Sequence, residues 1–124
     1  MSQKVLIVED DPINMLIAEK LFSKHFNISK ATNGHEALDL VANSDFDVIL
    51  MDINLGDETL DGIDVMKKIR TELQKPAMKI YAVTSYAMPE DRERFLKEGF
   101  DEYFPKPINK QAILERLNQE FKAN

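Results

Sequence analysis

Phe46-Asp47-Val48-Ile49-Leu50-Met51-Asp52 is an almost unbroken apolar run that stops at a carboxylate. A short run of this kind, without polar alternation, predicts a strand covered on both faces. The pattern recurs on either side, in Lys4-Val5-Leu6-Ile7-Val8-Glu9 and in Met78-Lys79-Ile80-Tyr81-Ala82-Val83-Thr84. Between these runs the apolar residues take a helical period: Ile13, Leu16, Ile17, Leu21 and Phe22, then Ala37, Leu38 and Val41, then Val65, Met66, Ile69 and Leu73. Ile28 to Ala31 reads as a weak strand, Pro89 to Lys97 as a short helix and Asp101 to Phe104 as a short strand. Asn109 to Phe121 reads as a helix with Ile113, Leu114, Leu117 and Phe121 on one stripe.

The order is (βα)₅, which predicts an α/β fold: a doubly wound, five-stranded parallel sheet of flavodoxin-like type, with helices on both faces and right-handed crossovers. Local punctuation agrees. Asp11 can cap a helix that begins with Pro12, Asn33 with Glu36 makes a capping-box-like start, and Gly99 stops the fourth helix. With 124 residues, 44% of them hydrophobic, the chain is expected to be a single domain spanning residues 1–124.

Composition narrows the chemistry. There is no cysteine, and the only histidines are His25 and His35, so any metal must be held mainly by oxygen. A net charge of −6 argues against a broad phosphate-neutralising surface, so direct nucleic-acid binding is not expected and partners are expected to be proteins. No run approaches the roughly 18 apolar residues that cross a bilayer, and no signal peptide is evident. The expectation is a cytoplasmic protein without a membrane partner.

In a doubly wound sheet, ligand chemistry belongs at the carboxyl ends of the strands. There the sequence places Glu9-Asp10-Asp11, Asp52, Thr84-Ser85 and, past the fifth strand, Lys106-Pro107. Taken singly, each has an ordinary structural reading as a cap, a strand residue or a surface charge. Together they gather acids, hydroxyls and a lysine on one rim. Clustered carboxylates repel unless a cation joins them, and an oxygen-only donor set suits Mg²⁺, with Asp10 and Asp52 as direct ligands. Asp52 is also the best candidate to attack phosphorus and form an acyl phosphate. Lys106 would then neutralise charge on the transferring oxygens and Thr84 would donate a hydrogen bond to one of them. No Gly-x-Gly-x-x-Gly or Gly-x-x-x-x-Gly-Lys-Ser/Thr occurs, and the acidic turn at Glu9-Asp10-Asp11-Pro12 would repel a pyrophosphate.

The ordered set Glu9-Asp10, Asn33-Gly34-His35-Glu36-Ala37, Met51-Asp52, Asp61-Gly62, Thr84-Ser85 and Lys106-Pro107 resembles the receiver domains of two-component response regulators and hybrid sensor histidine kinases, from Val5 to Phe121. The resemblance implies a phosphorelay signalling module whose Asp52 accepts a phosphoryl group from phosphohistidine. Asp10 would bind Mg²⁺, with Mn²⁺ as a substitute, Glu9 would act on it through water, and Asn54 would offer its backbone carbonyl. Thr84 and Lys106 would contact the phosphoryl oxygens. Thr84, Ser85 and Tyr103 would form the switch, with Tyr103 the aromatic residue that turns between outward and inward rotamers.

The implied partners are a histidine kinase or histidine phosphotransfer domain, docked near the first helix, and a downstream protein bound between Pro89 and Phe121. The implied assembly is a monomer or a weak phosphorylation-dependent dimer. Such a domain promotes its own phosphorylation and dephosphorylation without being a metabolic enzyme. The alternative is a small Mg²⁺-dependent phosphatase on a related sheet, which would need a general acid and a cap over its substrate.

The sequence departs from the family's usual pattern in one loop. Where the family usually has Met-Pro after the acceptor, this chain has Leu55-Gly56, and the loop to Asp61-Gly62 looks two residues longer, with Asp57 and Glu58 adding charge. Helix one carries Ile13, Asn14 and Ile17 either for docking or for the core. Tyr103, read without the resemblance, is a strand aromatic packed on Ile80, Tyr81 or helix five.

Overall fold

The computed structural model describes residues 3–57, 59–85 and 88–122, so Glu58 lies outside the described residues. Strands β1 (Lys4–Val8), β2 (Asn27–Ala31), β3 (Val48–Asp52), β4 (Ile80–Thr84) and β5 (Glu102–Pro105) alternate with helices α1 (Pro12–Phe22), α2 (Gly34–Asn43), α3 (Gly62–Arg70), α4 (Asp91–Glu98) and α5 (Lys110–Lys122). Every neighbouring pair is parallel, in the order β2-β1-β3-β4-β5. This is the expected (βα)₅ sheet. β3 and β4 begin two residues later than the apolar runs suggest, because the ladder first joins Val5 to Val48 and Ile49 to Ile80.

Strand alternation explains why the runs are apolar throughout. Leu6, Val8, Ile49, Met51, Ile80 and Ala82 enter one core layer, shared with α2, α3 and Phe95 of α4. Val5, Ile7, Val48, Leu50, Tyr81 and Val83 enter the other, shared with α1 and α5. Each strand therefore buries both faces, as a parallel sheet requires. Truncating a fully enclosed side chain such as Phe22 would cost about 3–5 kcal/mol.

The caps follow the sequence with one change. Asp11 Oδ1 accepts the N–H groups of Ile13 at 2.8 Å and Asn14 at 3.3 Å. Asn33 Oδ1 accepts the N–H of Glu36 at 2.9 Å, but the Glu36 carboxylate reaches one residue beyond the cap, to the N–H and hydroxyl of Thr32 at 2.7 Å each. The reciprocal capping box is at Asp61 and Asp64 instead. Gly99 ends α4 with φ +129°, where a side chain would be strained.

Helix α1 corrects a reading of the periodicity. Ile13, Leu16 and Ile17 are 70%, 51% and 47% exposed, while Met15, Ala18 and Phe22 face the core. Phe22 of the predicted stripe is fully buried and Leu21 packs partly against the core, so the stripe is divided between core and surface, and only the sheet decides which of its residues are covered. Among the described residues no helix is long and apolar enough to cross a membrane.

Candidate functional site

The sheet order reverses between β1 and β3, so the residues following these two strands meet at one crevice. β1 delivers Glu9, whose N–H still bonds Ala31 O at 3.0 Å, and Asp10 beyond it. β3 ends on Asp52, only 6% exposed. Behind it stands Gly62, whose N–H donates to Ile53 O at 2.8 Å. A Cβ on Gly62 would lie 2.3 Å from the Asp52 carbonyl oxygen, so helix α3 can start against β3 only without a side chain there. The Asp61-Gly62 pair thus acquires a packing reason.

Lys106 is tied to the end of β4 by its N–H, which donates to Thr84 O at 2.7 Å. Its ammonium donates to Glu9 Oε1 at 2.6 Å and lies 3.3 Å from Asp52 Oδ2. Glu9 Oε2 also accepts the N–H of Asp11 at 3.1 Å. Sequence reasoning brings Glu9 and Lys106 to the same rim but misses their direct pairing, since the residues are 97 positions apart. Thr84 and Ser85 complete an open cavity of about 410 Å³, with Asn54, Gly56, Asp11 and Asn14 on its walls. Asp11, expected only as a cap, therefore serves both places.

The charges do not balance. Carboxylate oxygens of Glu9, Asp10 and Asp52 lie within 4.8 Å of one another, against the single ammonium of Lys106. Burial, reinforced by Glu9, pushes the Asp52 carboxyl up to about 7, and burial with Glu9 also raises that of Asp10. Burial works against the charge on Lys106, yet Glu9 and Asp52 outweigh it and hold its pKa above the ordinary lysine value. Three carboxylates with no sulfur or histidine donor fit a hard divalent cation.

The remaining candidates divide. Thr84 is buried at the cavity and Ser85 is exposed on its wall. Asn54 lines the cavity too, with its side-chain Oδ1 accepting the Gly56 N–H at 3.2 Å. Tyr103 does not line it. It pairs in register with Ala82 and is 8% exposed, its ring stacked on Phe95 of α4 at 5.6 Å and 14°. Its aromatic partner is therefore on α4, where the sequence alone suggested β4 or α5.

A family model described as the response regulator receiver domain matches residues 5–118. A hybrid signal transduction histidine kinase of Dictyostelium discoideum is 38% identical over 125 residues, which is 94% of this chain but 7% of the kinase. The polar-differentiation response regulator DivK of Brucella anthropi is 34% identical and is covered, like this chain, to 94%. The receiver domain of Francisella response regulator 1452 superposes with a TM-score of 0.83 at 30% identity, covering 98% of each chain.

Proposed function

The chain belongs to the response regulator receiver domain family, and from that premise we propose that Asp52 is a phosphoacceptor whose modification changes what the protein binds. The observation that carries this reading is the Asp52 carboxylate itself, enclosed at the meeting of β1, β3 and β4 and 3.3 Å from Lys106. An Asp52 oxygen attacks the phosphorus of a phosphohistidine, the O–P bond forms as the P–N bond breaks, and the imidazole leaves with the electron pair. Lys106 turns from Glu9 toward the arriving oxygens, and the Thr84 hydroxyl donates to one of them. Asp10, Asp52 and the Asn54 carbonyl would hold Mg²⁺, with Mn²⁺ as a substitute and Glu9 acting through water. Such a cation supplies the positive charge that keeps Asp52 ionised and offsets the phosphoryl oxygens.

The donor, a histidine kinase or histidine phosphotransfer domain, docks on the exposed Ile13, Leu16 and Ile17 of α1. Beside them lies an apolar groove of about 140 Å³ lined by Asn14, Ile17, Pro107 and Ile108, which opens next to Lys106. An apolar patch contiguous with a reactive group suits a partner that must bring its own reactive group to Asp52. The signal leaves through Thr84, Ser85 and Tyr103 to the surface between Pro89 and Phe121. The Tyr103 ring, now packed inward on Phe95, is the two-state element. Residues 1–124 act as one domain.

Intact mass after incubation with Mg²⁺ and phosphoramidate tests this reading. The expected result is one phosphoryl group per chain, lost in Asp52→Asn and in excess EDTA. Uptake by Asp52→Asn would overturn the assignment. Steady turnover of a phosphate monoester would favour the phosphatase alternative.

A further inference from the structure

The loop between β3 and α3 departs most from the family's usual pattern, and it also closes against Asp10. Leu55 and Leu60, each 4% exposed, pin its two sides into the core. The Gly56 N–H donates to Asn54 Oδ1 at 3.2 Å, while the Thr59 N–H and hydroxyl donate to Asp57 Oδ1 at 2.9 and 2.7 Å. Gly56 has φ +74°, and the atoms that a Cβ there would meet are Asp10 Oδ2 at 3.0 Å and Asp10 Cγ at 4.0 Å.

A turn alone does not explain this glycine. At φ +74° an L side chain is strained, asparagine less than most, so the backbone conformation is one reason for glycine here. The contact with Asp10 is a separate demand, because any L side chain directs its Cβ at that carboxylate. Gly56 lines the same cavity as Asp10 and Asp52, whose oxygens belong to the acidic cluster.

We infer that Gly56 is a positioning residue for the cation cluster: lacking a Cβ, it lets the lengthened loop close beside Asp10 while leaving Asp10 Oδ2 where it can share a cation with Asp52. This rests on the reading of Glu9, Asp10 and Asp52 as a cation site. Loop and ligand are thereby coupled, and a residue that never touches the cation sets how tightly it is held.

The test is Mn²⁺ affinity, read by water-proton relaxation in the full chain for the parent, Gly56→Asn and Gly56→Ala, with melting in EDTA as a parallel measure. Asparagine tolerates a positive φ better than alanine and both add the Cβ, so both variants are expected to bind Mn²⁺ about 10-fold more weakly, the lower end of what disturbing a ligand's supporting contacts costs. Melting should fall more for alanine than for asparagine. In an Asp10→Ala background, adding Gly56→Ala should change affinity less than about twofold, since the side-chain atoms that the Cβ would meet are gone. Parent-like affinity in Gly56→Asn would overturn the inference and leave Gly56 a turn residue only. A parent that binds no Mn²⁺, or binding that survives Asp10→Asn combined with Asp52→Asn, would overturn the cation-site reading beneath it.

Discussion

At the amino-terminal end of the sheet, Arg70 lies among oxygens from two segments, Pro76 to Met78 and Gly99 to Asp101. Its guanidinium donates to Gly99 O at 3.1 and 2.8 Å, to Pro76 O at 2.9 Å, to Met78 O at 2.8 Å and to Asp101 Oδ2 at 3.0 Å. Asp101 in turn accepts the Ile80 N–H at 2.9 Å. At the carboxyl end, Lys106 is enclosed to a similar degree, its side chain 15% exposed against 17% for Arg70. The difference lies in what surrounds each cation. Arg70 meets one carboxylate and several carbonyls, so its charge is matched and its donors are used. Lys106 faces two carboxylates directly, with Asp10 as a third acid in the cluster. A balanced cation ties segments together, whereas an outnumbered one leaves a site that gains from more positive charge.

The comparison breaks most readily at Arg70. Arg70→Ala should lower stability by about 3 kcal/mol, or roughly 10 °C in melting, because it strands carbonyls and Asp101 in partly buried positions. Phosphoryl uptake per folded molecule should stay within about twofold of the parent, since the site lies at the other end of the strands. A larger loss of uptake at full folding, followed by intact mass, would show that the two ends are not independent.

The imbalance also predicts a pH dependence. The Asp52 carboxyl is raised from 3.8 to about 7, so the folded chain binds a proton that the unfolded chain has already lost. Stability in EDTA should therefore fall as pH rises from about 4 to about 7 and level off above, by on the order of 2 kcal/mol once solvent screening at the open cavity is allowed for. Chemical denaturation across that window checks the slope. Asp52→Asn should flatten it, and Arg70→Ala should leave it in place.

The smallest effect is expected at Asp10, the exposed member of the cluster. Asp10→Asn should raise melting in EDTA by a few degrees, about 1 kcal/mol, by removing repulsion. It should also lose most of the further rise that Mg²⁺ produces by mass action. An equal Mg²⁺-induced rise in both proteins would remove Asp10 from the ligand set.

Much of this was legible before folding was considered. Runs such as Val48 to Asp52, buried on both faces, announce a parallel strand by composition alone, and their acidic ends fall at the switch point by topology. Asp11, Asn33 and Gly99 announce helix ends because capping is a local exchange between a side chain and nearby N–H or C=O groups. What stayed hidden was decided between segments distant in the chain. Helix α1 has apolar residues on both sides, and only its seating on the sheet left Ile13, Leu16 and Ile17 outside. Tyr103 found Phe95, Lys106 found Glu9, Arg70 found Gly99, and Gly56 found Asp10. Local patterns determine strands, helices and the rim on which reactive residues gather, because periodicity and capping depend on near neighbours. Which charges pair, which apolar face stays open and which glycine stands against Asp10 are settled only by packing, because those energies belong to contacts that the linear order does not contain.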